Sequence, residues 1–206
     1  VSDRKVAPWR VLTSRILFED RWLRLRNDRC ETVEGAIVPS YHVLECADGV
    51  NVVALTGEGR LLLAREYRHG CGEVVTGIPA GMIEATDASP EAAARRELLE
   101  ETGYGGGQLT PVLTCWANAA RQTNRVTSFL AVGVEPLSSP SLDPAEAIDL
   151  IHGDLPEVFG RLRRGEWRMQ STHVAALWSA AGAILTGAVA VAGELRDRLR
   201  AALSPP

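Results

Sequence analysis

Apolar and polar positions alternate in short runs through the first third of the chain, and the period changes only later. Trp9–Phe18 and Trp22–Val33 are rich in Val, Leu, Ile and Trp, with Glu19-Asp20 able to turn between them. Glu34-Gly35 turns again into Ala36–Cys46. Such runs, bounded by turn residues, predict three antiparallel strands. Within the second, Trp22, Arg24, Arg26 and Asp28 stand against Leu23, Leu25 and Asn27 in period-two alternation. A three-stranded meander buries little by itself, so it must lean on the main domain or on a second subunit. Val50–Leu55 and Arg60–Tyr67 follow as strands, joined by the hairpin signal Gly57-Glu58-Gly59.

The period then lengthens. Ser89 suits an N-cap, Pro90 the first helical turn and Gly103 a left-handed stop, so 90–102 reads as a helix. Gly105-Gly106-Gly107 reads as a flexible turn, Leu109–Cys115 as a strand, 116–125 as a polar loop and Val126–Val134 as a strand. After a loop at Pro136–Pro140 comes an acidic segment, Asp143–Ile151. Asp154, with Glu157 three residues on, opens a helix that stops at Gly165. Val174–Gly193 holds 20 residues without a charge, long enough to span a bilayer. It is mostly Ala and Gly, and Gly182 and Gly187 interrupt it, so two packed helices at about 171–181 and 186–203 are expected instead. Arg196, Asp197, Arg198 and Arg200 form the wet face of the second.

Composition narrows the class. A chain of 206 residues with 46% hydrophobic content supports one substantial core and a small extra unit. The formal net charge of −4 gives no general attraction to nucleic acid or to anionic membrane. Cys30, Cys46, Cys71 and Cys115 show no metal-binding spacing and read as reduced packing residues. No secretory n-region and h-region open the chain, which fits a cytoplasmic enzyme. His152 and His173 stand alone and read as structural.

Candidate chemistry centres on the helix. Glu97, Glu100 and Glu101 fall at i, i+3 and i+4, within an arc of about 100°. Their mutual repulsion is small, roughly 0.2–0.5 kcal/mol per solvated pair, so an ordinary acidic face tolerates it. A divalent cation would reverse its sign, and an all-oxygen donor set suits Mg²⁺. The whole string decides between the two. Gly81, then Arg96, Glu97, Leu98, Glu100, Glu101, Gly103 and Tyr104, resembles the Nudix box. The first half departs from it: Arg96 lies one residue further from Gly81 than the pattern has, and the expected glutamate falls at Ala88. In the family that glutamate pairs with the box arginine, and here Asp87 or Glu84 is left to do so.

Arg65-Glu66-Tyr67-Arg68 followed by Ile78-Pro79-Ala80-Gly81 resembles the ADP-ribose pyrophosphatase-like branch of the Nudix hydrolases. Two positions differ: Glu66 stands where glutamine is common, and Gly77 where a glutamate near the metals is usual. The resemblance implies an α/β/α sandwich with a mixed sheet over 47–206, preceded by an antiparallel β unit at 1–46 that exchanges across a homodimer. It implies metal ligands at Glu97, Glu100, Glu101 and the Ala80 carbonyl, for Mg²⁺ with Mn²⁺ as a substitute. It also implies a catalytic glutamate from a mobile loop, best matched by Glu146, with Asp143 and Asp149 as rivals.

Arg68 reads either as a phosphate grip or as a structural arginine. The loop residues Trp116, Arg121 and Arg125 read as a nucleotide pocket, with the ring on a base and the arginines on a diphosphate. Trp116 by itself reads rather as a core residue under a capping loop. The implied reaction is hydrolysis of the diphosphate bridge in a small nucleoside diphosphate derivative, ADP-ribose or another nucleotide sugar first. The competing reading is a non-catalytic nucleotide-sugar-binding module, suggested by the acids missing at Gly77, Ala88 and the 116–125 loop.

Overall fold

A computed structural model describes residues 6–204. The chain forms two compact units: the residues up to Asp48 together with Trp116–Arg125, and Gly49–Cys115 together with the residues from Val126 onward.

The first unit is a three-stranded antiparallel sheet of β1 (Arg10–Glu19), β2 (Leu23–Glu31) and β3 (Ile37–Cys46). Asp20 closes the first turn by accepting from the Trp22 and Leu23 amides, at 2.8 and 3.0 Å. The two-residue alternation of β2 gives way to a charged network. Asp28 is buried and takes Arg26 at 2.9 Å and the Ser14 hydroxyl at 2.6 Å, while Arg24 joins Glu19 and Glu45. The apolar side chains Trp9, Ile16, Phe18 and Trp22 remain exposed. The loop 116–125 belongs to this unit rather than to the core domain: Leu44 and Gln122 form a β-bridge, and Tyr41 donates its hydroxyl to the Ala120 carbonyl.

The second unit is built on a seven-stranded mixed sheet. Its strands are β4 (Gly49–Thr56), β5 (Leu61–Arg68), β6 (Glu73–Gly77), β7 (Ala80–Met82), β8 (Tyr104–Trp116), β9 (Arg125–Pro136) and β10 (Ile148–Gly153). The order is β10-β5-β4-β9-β8, with β6 on β5 and β7 on β4; β4 and β9 run parallel. β4 is buried along almost its whole length, as its near-continuous apolar run requires. Its side chains divide between two clusters. Val52 and Ala54 join Leu62, Phe129, Ala93, Ala94 and Leu98, the last three from α1 (Pro90–Thr102). Val53 and Leu55 join Leu61, Leu63 and Leu130 against α2 (Leu155–Arg163), α3 (Ser171–Thr186) and α4 (Gly193–Leu203). Helices therefore cover both faces, the sandwich that the resemblance implies. Each fully buried Leu or Phe contributes about 1.5–3 kcal/mol of apolar burial.

Three local expectations are corrected. Gly105–Gly107 is part of β8, not a flexible turn. Gly107 has φ 64°, and a Cβ there would lie 2.7 Å from the Val132 carbonyl oxygen, so glycine serves close strand packing. Gly182 does not break α3, which runs to Thr186 and ends on left-handed Gly187; one glycine costs a helix only about 1 kcal/mol. The strand β10 was not legible inside the acidic segment. Among the described residues no helix is long and apolar enough to cross a membrane.

Candidate active site

The helix α1 starts where its caps dictate. Ser89 accepts from the Ala92 amide at 3.1 Å, and Gly103 closes the far end at φ 74°. The apolar face, Ala93, Ala94 and Leu98, packs on the sheet. That fixes the rotation of the acidic ridge, and the three acids end in different environments. Glu101 is 6% exposed and accepts from the Ala80 amide at 3.0 Å. Its carboxyl is pushed up to about 8, first by burial, against the pull of that amide, and then by Glu97, Glu66 and Glu146. Glu97 is also raised, first by burial, with Arg96 opposing and Glu100 and Glu146 adding to the rise. Glu100 is the outermost, its side chain 42% exposed.

Arg96 ties the ridge to the preceding loop. It meets Asp87, Glu97 and Glu100, each at 2.9 Å, and donates to the Met82 carbonyl at 2.9 Å. Of the two acids left open for this role, Asp87 takes it and Glu84 does not. Asp87 also accepts from the Glu84 amide at 2.8 Å, and Arg96 holds its carboxyl below the usual range. Counted forward from Gly81, the pattern's glutamate falls at 87, so the extra residue lies between Asp87 and Arg96. Gly81 itself is demanded by packing: a Cβ would sit 2.1 Å from the Glu97 carboxylate.

Two acids come from outside the box. Glu66, near the end of β5, is raised first by burial, against Arg68 at 2.5 Å, and further by Glu146. Glu146 bridges its own turn, accepting from the Asp143 amide at 3.1 Å. Its rival Asp149 is turned to Arg65 at 2.5 Å. Glu66, Glu97, Glu101 and Glu146 thus form one electrostatic cluster. In sequence Glu66 is only a departure from glutamine; its place near the strand end, opposite Val75 of β6 and Ile148 of β10, comes from pairing in the sheet. The donor chemistry fits a hard divalent cation. The second oxygens of Glu97 and Glu101 carry no hydrogen bond among the described residues, and a cation there would offset both burial and repulsion. The acids as they stand face Arg96 and Ala80, and among the described residues no group of three or more His, Cys, Asp or Glu stands arranged to hold a metal ion.

Trp116, Arg121 and Arg125 belong to the other unit. Trp116 is 55% exposed, which overturns the core reading of that side chain. The Arg125 guanidinium lies 5.8 Å from its ring centroid and 3.8 Å from Asp48, and the Arg121 side chain is exposed.

Residues 47–152 match the NUDIX domain, and residues 9–44 match the nucleoside diphosphate sugar hydrolase N-terminal domain. The chain belongs to the Nudix family. Among Nudix relatives, putative nudix hydrolase 2 of Caenorhabditis elegans is 32% identical over 112 residues, half of each chain. The ADP-ribose pyrophosphatase of Mycobacterium tuberculosis is 28% identical over 158 residues, 76% of this chain and 75% of that one. A solved structure described as an ADP compounds hydrolase superposes with a TM-score of 0.77 over 91% of this chain and 100% of that one, and at 22% identity this shows a shared fold. A second protein named ADP-ribose pyrophosphatase, from Bacillus subtilis (strain 168), is 31% identical over 109 residues, 52% of this chain and 58% of that one.

Proposed function

We propose that this protein hydrolyses the diphosphate bridge of a nucleoside diphosphate derivative, with ADP-ribose as first candidate and other nucleotide sugars next, in a Mg²⁺-dependent reaction. One observation carries the reading: Glu66, Glu97 and Glu101 are each raised first by burial and then by neighbouring carboxylates, so the fold holds them where their charge is disfavoured. A divalent cation held by Glu97, Glu100, Glu101 and the Ala80 carbonyl supplies charge neutralisation, polarised phosphoryl oxygens and a more acidic water. Glu101, clamped by the Ala80 amide, keeps the ridge and the turn in register. Glu146, on the 142–147 loop, takes a proton from the attacking water. Arg68 holds a phosphoryl oxygen once substrate draws it from Glu66. The exposed apolar side chains of the N-terminal sheet support a homodimer, and a small nucleotide substrate supports a cytoplasmic site of action.

The test is incubation with ADP-ribose and Mg²⁺ or Mn²⁺, with chromatography of the products. AMP and ribose 5-phosphate are expected. Uptake of ADP-ribose without AMP would leave the non-catalytic binding module in its place, and no reaction with any nucleoside diphosphate derivative would end the hydrolase reading.

A further inference from the structure

β6 ends at Gly77, and no side chain fits there: an added Cβ would lie 2.6 Å from Nδ1 of His173. The histidine on α3 fills the space that a residue at 77 would use. His173 is 5% exposed, and its Nδ1 accepts from the Ile78 amide at 3.4 Å. Burial, with Arg68 adding to it, lowers its pKa to about 4, so the ring is neutral near pH 7. A neutral ring that accepts at Nδ1 carries its proton on Nε2. That N–H has no acceptor among the described residues.

His173 lines a cavity of about 720 Å³, together with Glu66, Arg68, Gly77, Arg168 and Gln170. The size suits a small metabolite. Gln170 is the N-cap of α3, yet its side chain makes no capping hydrogen bond to the first turn. An uncapped helix start favours an anionic acceptor. The two carboxylates of the lining are already matched, Glu66 by Arg68 at 2.5 Å and Glu73 by Arg168 at 3.1 Å. Beyond those pairs the lining includes donor N–H groups on His173 and Gln170. Glu66 belongs both to this lining and to the carboxylate cluster, and Gly77 lies three residues before Ala80.

We infer that this cavity is a subsite for the sugar phosphate released when the bridge is cut, with His173 donating from Nε2 to a phosphoryl oxygen. The identity of that ligand rests on the hydrolase reading, while the donor arrangement does not. On this assignment His173 is a specificity-determining residue that takes over the space of position 77.

Calorimetry with ribose 5-phosphate and with ribose tests it on wild type, His173→Phe and His173→Gln. The wild type is expected to bind the phosphate ester and not the free sugar. His173→Phe should weaken binding at least about tenfold, the usual cost of losing a hydrogen bond to a charged group, and His173→Gln should keep most of it. Cys71, an exposed thiol on the same cavity, gives a check on the native chain that needs no variant. Ribose 5-phosphate should slow its alkylation and ribose should not. Equal binding by wild type and His173→Phe, or no protection of Cys71, overturns the subsite. Release of AMP from ADP-ribose with no sugar-phosphate binding removes the subsite and keeps the hydrolase. His173-dependent binding without AMP release does the reverse.

Discussion

The two units solve opposite problems. The core unit buries apolar side chains on both faces of its sheet and reserves one end of β5 and α1 for carboxylates. The N-terminal sheet holds itself with Arg–Glu and Arg–Asp pairs and leaves Trp9, Phe18 and Trp22 on its surface. Exposed ion pairs contribute little, about 0–1 kcal/mol each. The N-terminal sheet buries little apolar area, whereas the core unit buries apolar side chains against helices on both faces of its sheet. Chemistry should therefore follow the core unit, and association the N-terminal one.

The largest expected effect is Glu101→Gln. It should lower turnover by about 10²–10³, the usual cost of deleting one key charge-stabilising group. Melting should stay near wild type, because glutamine keeps the acceptor for the Ala80 amide. Turnover unchanged in this variant removes Glu101 from the site. Next comes Asp87→Ala, which frees the Arg96 anchor and should cost roughly 10–100-fold in kcat/KM, as for partners that orient ligands. Glu84→Ala, which leaves Arg96 untouched, should cost little, and equal losses in both would show that the loop rather than the ion pair matters.

The third prediction crosses to the other unit. Phe18→Asp with Trp22→Asp should weaken self-association at least about tenfold, read by sedimentation, since buried aromatics anchor interfaces. The thermal transition of the core should not move. A loss of core stability with association intact would reverse the comparison.

A further effect is on pH. His173 takes a proton near pH 6.5 when unfolded and near pH 4 when folded, its pKa lowered by burial and by Arg68. Between these values the unfolded chain binds more protons, so stability is lost as pH falls from about 6.5 towards 4, by roughly 3 kcal/mol in full. Urea unfolding of wild type against His173→Gln at pH 7 and pH 5 should show part of that loss in the wild type alone. Parallel pH dependence in the two would mean that the ring is not buried neutral.

Much of this was legible in advance. The caps Ser89 and Gly103, the hairpin glycines and the acidic spacing on α1 are local signals, set within a few residues, so they survive without tertiary information. The misread segments are those where a neighbour decides. Gly105–Gly107 look like a turn until Val132 and Leu137 are seen against them. The sequence left Asp87 and Glu84 as equals because neither spacing nor charge distinguishes them, and the reach of Arg96 does.

The chain by itself determined β1 to β5, β9 and the later part of β8, where α1 begins and ends, and that three glutamates share one helical stripe, because backbone preference and 3.6-residue periodicity are local. Only the tertiary structure decided which of those glutamates is buried, that Glu66 and Glu146 join them, and that His173 stands in the space beside Gly77. Desolvation and through-space charge depend on what packs alongside, and those neighbours lie up to 96 positions away in sequence, as His173 does from Gly77.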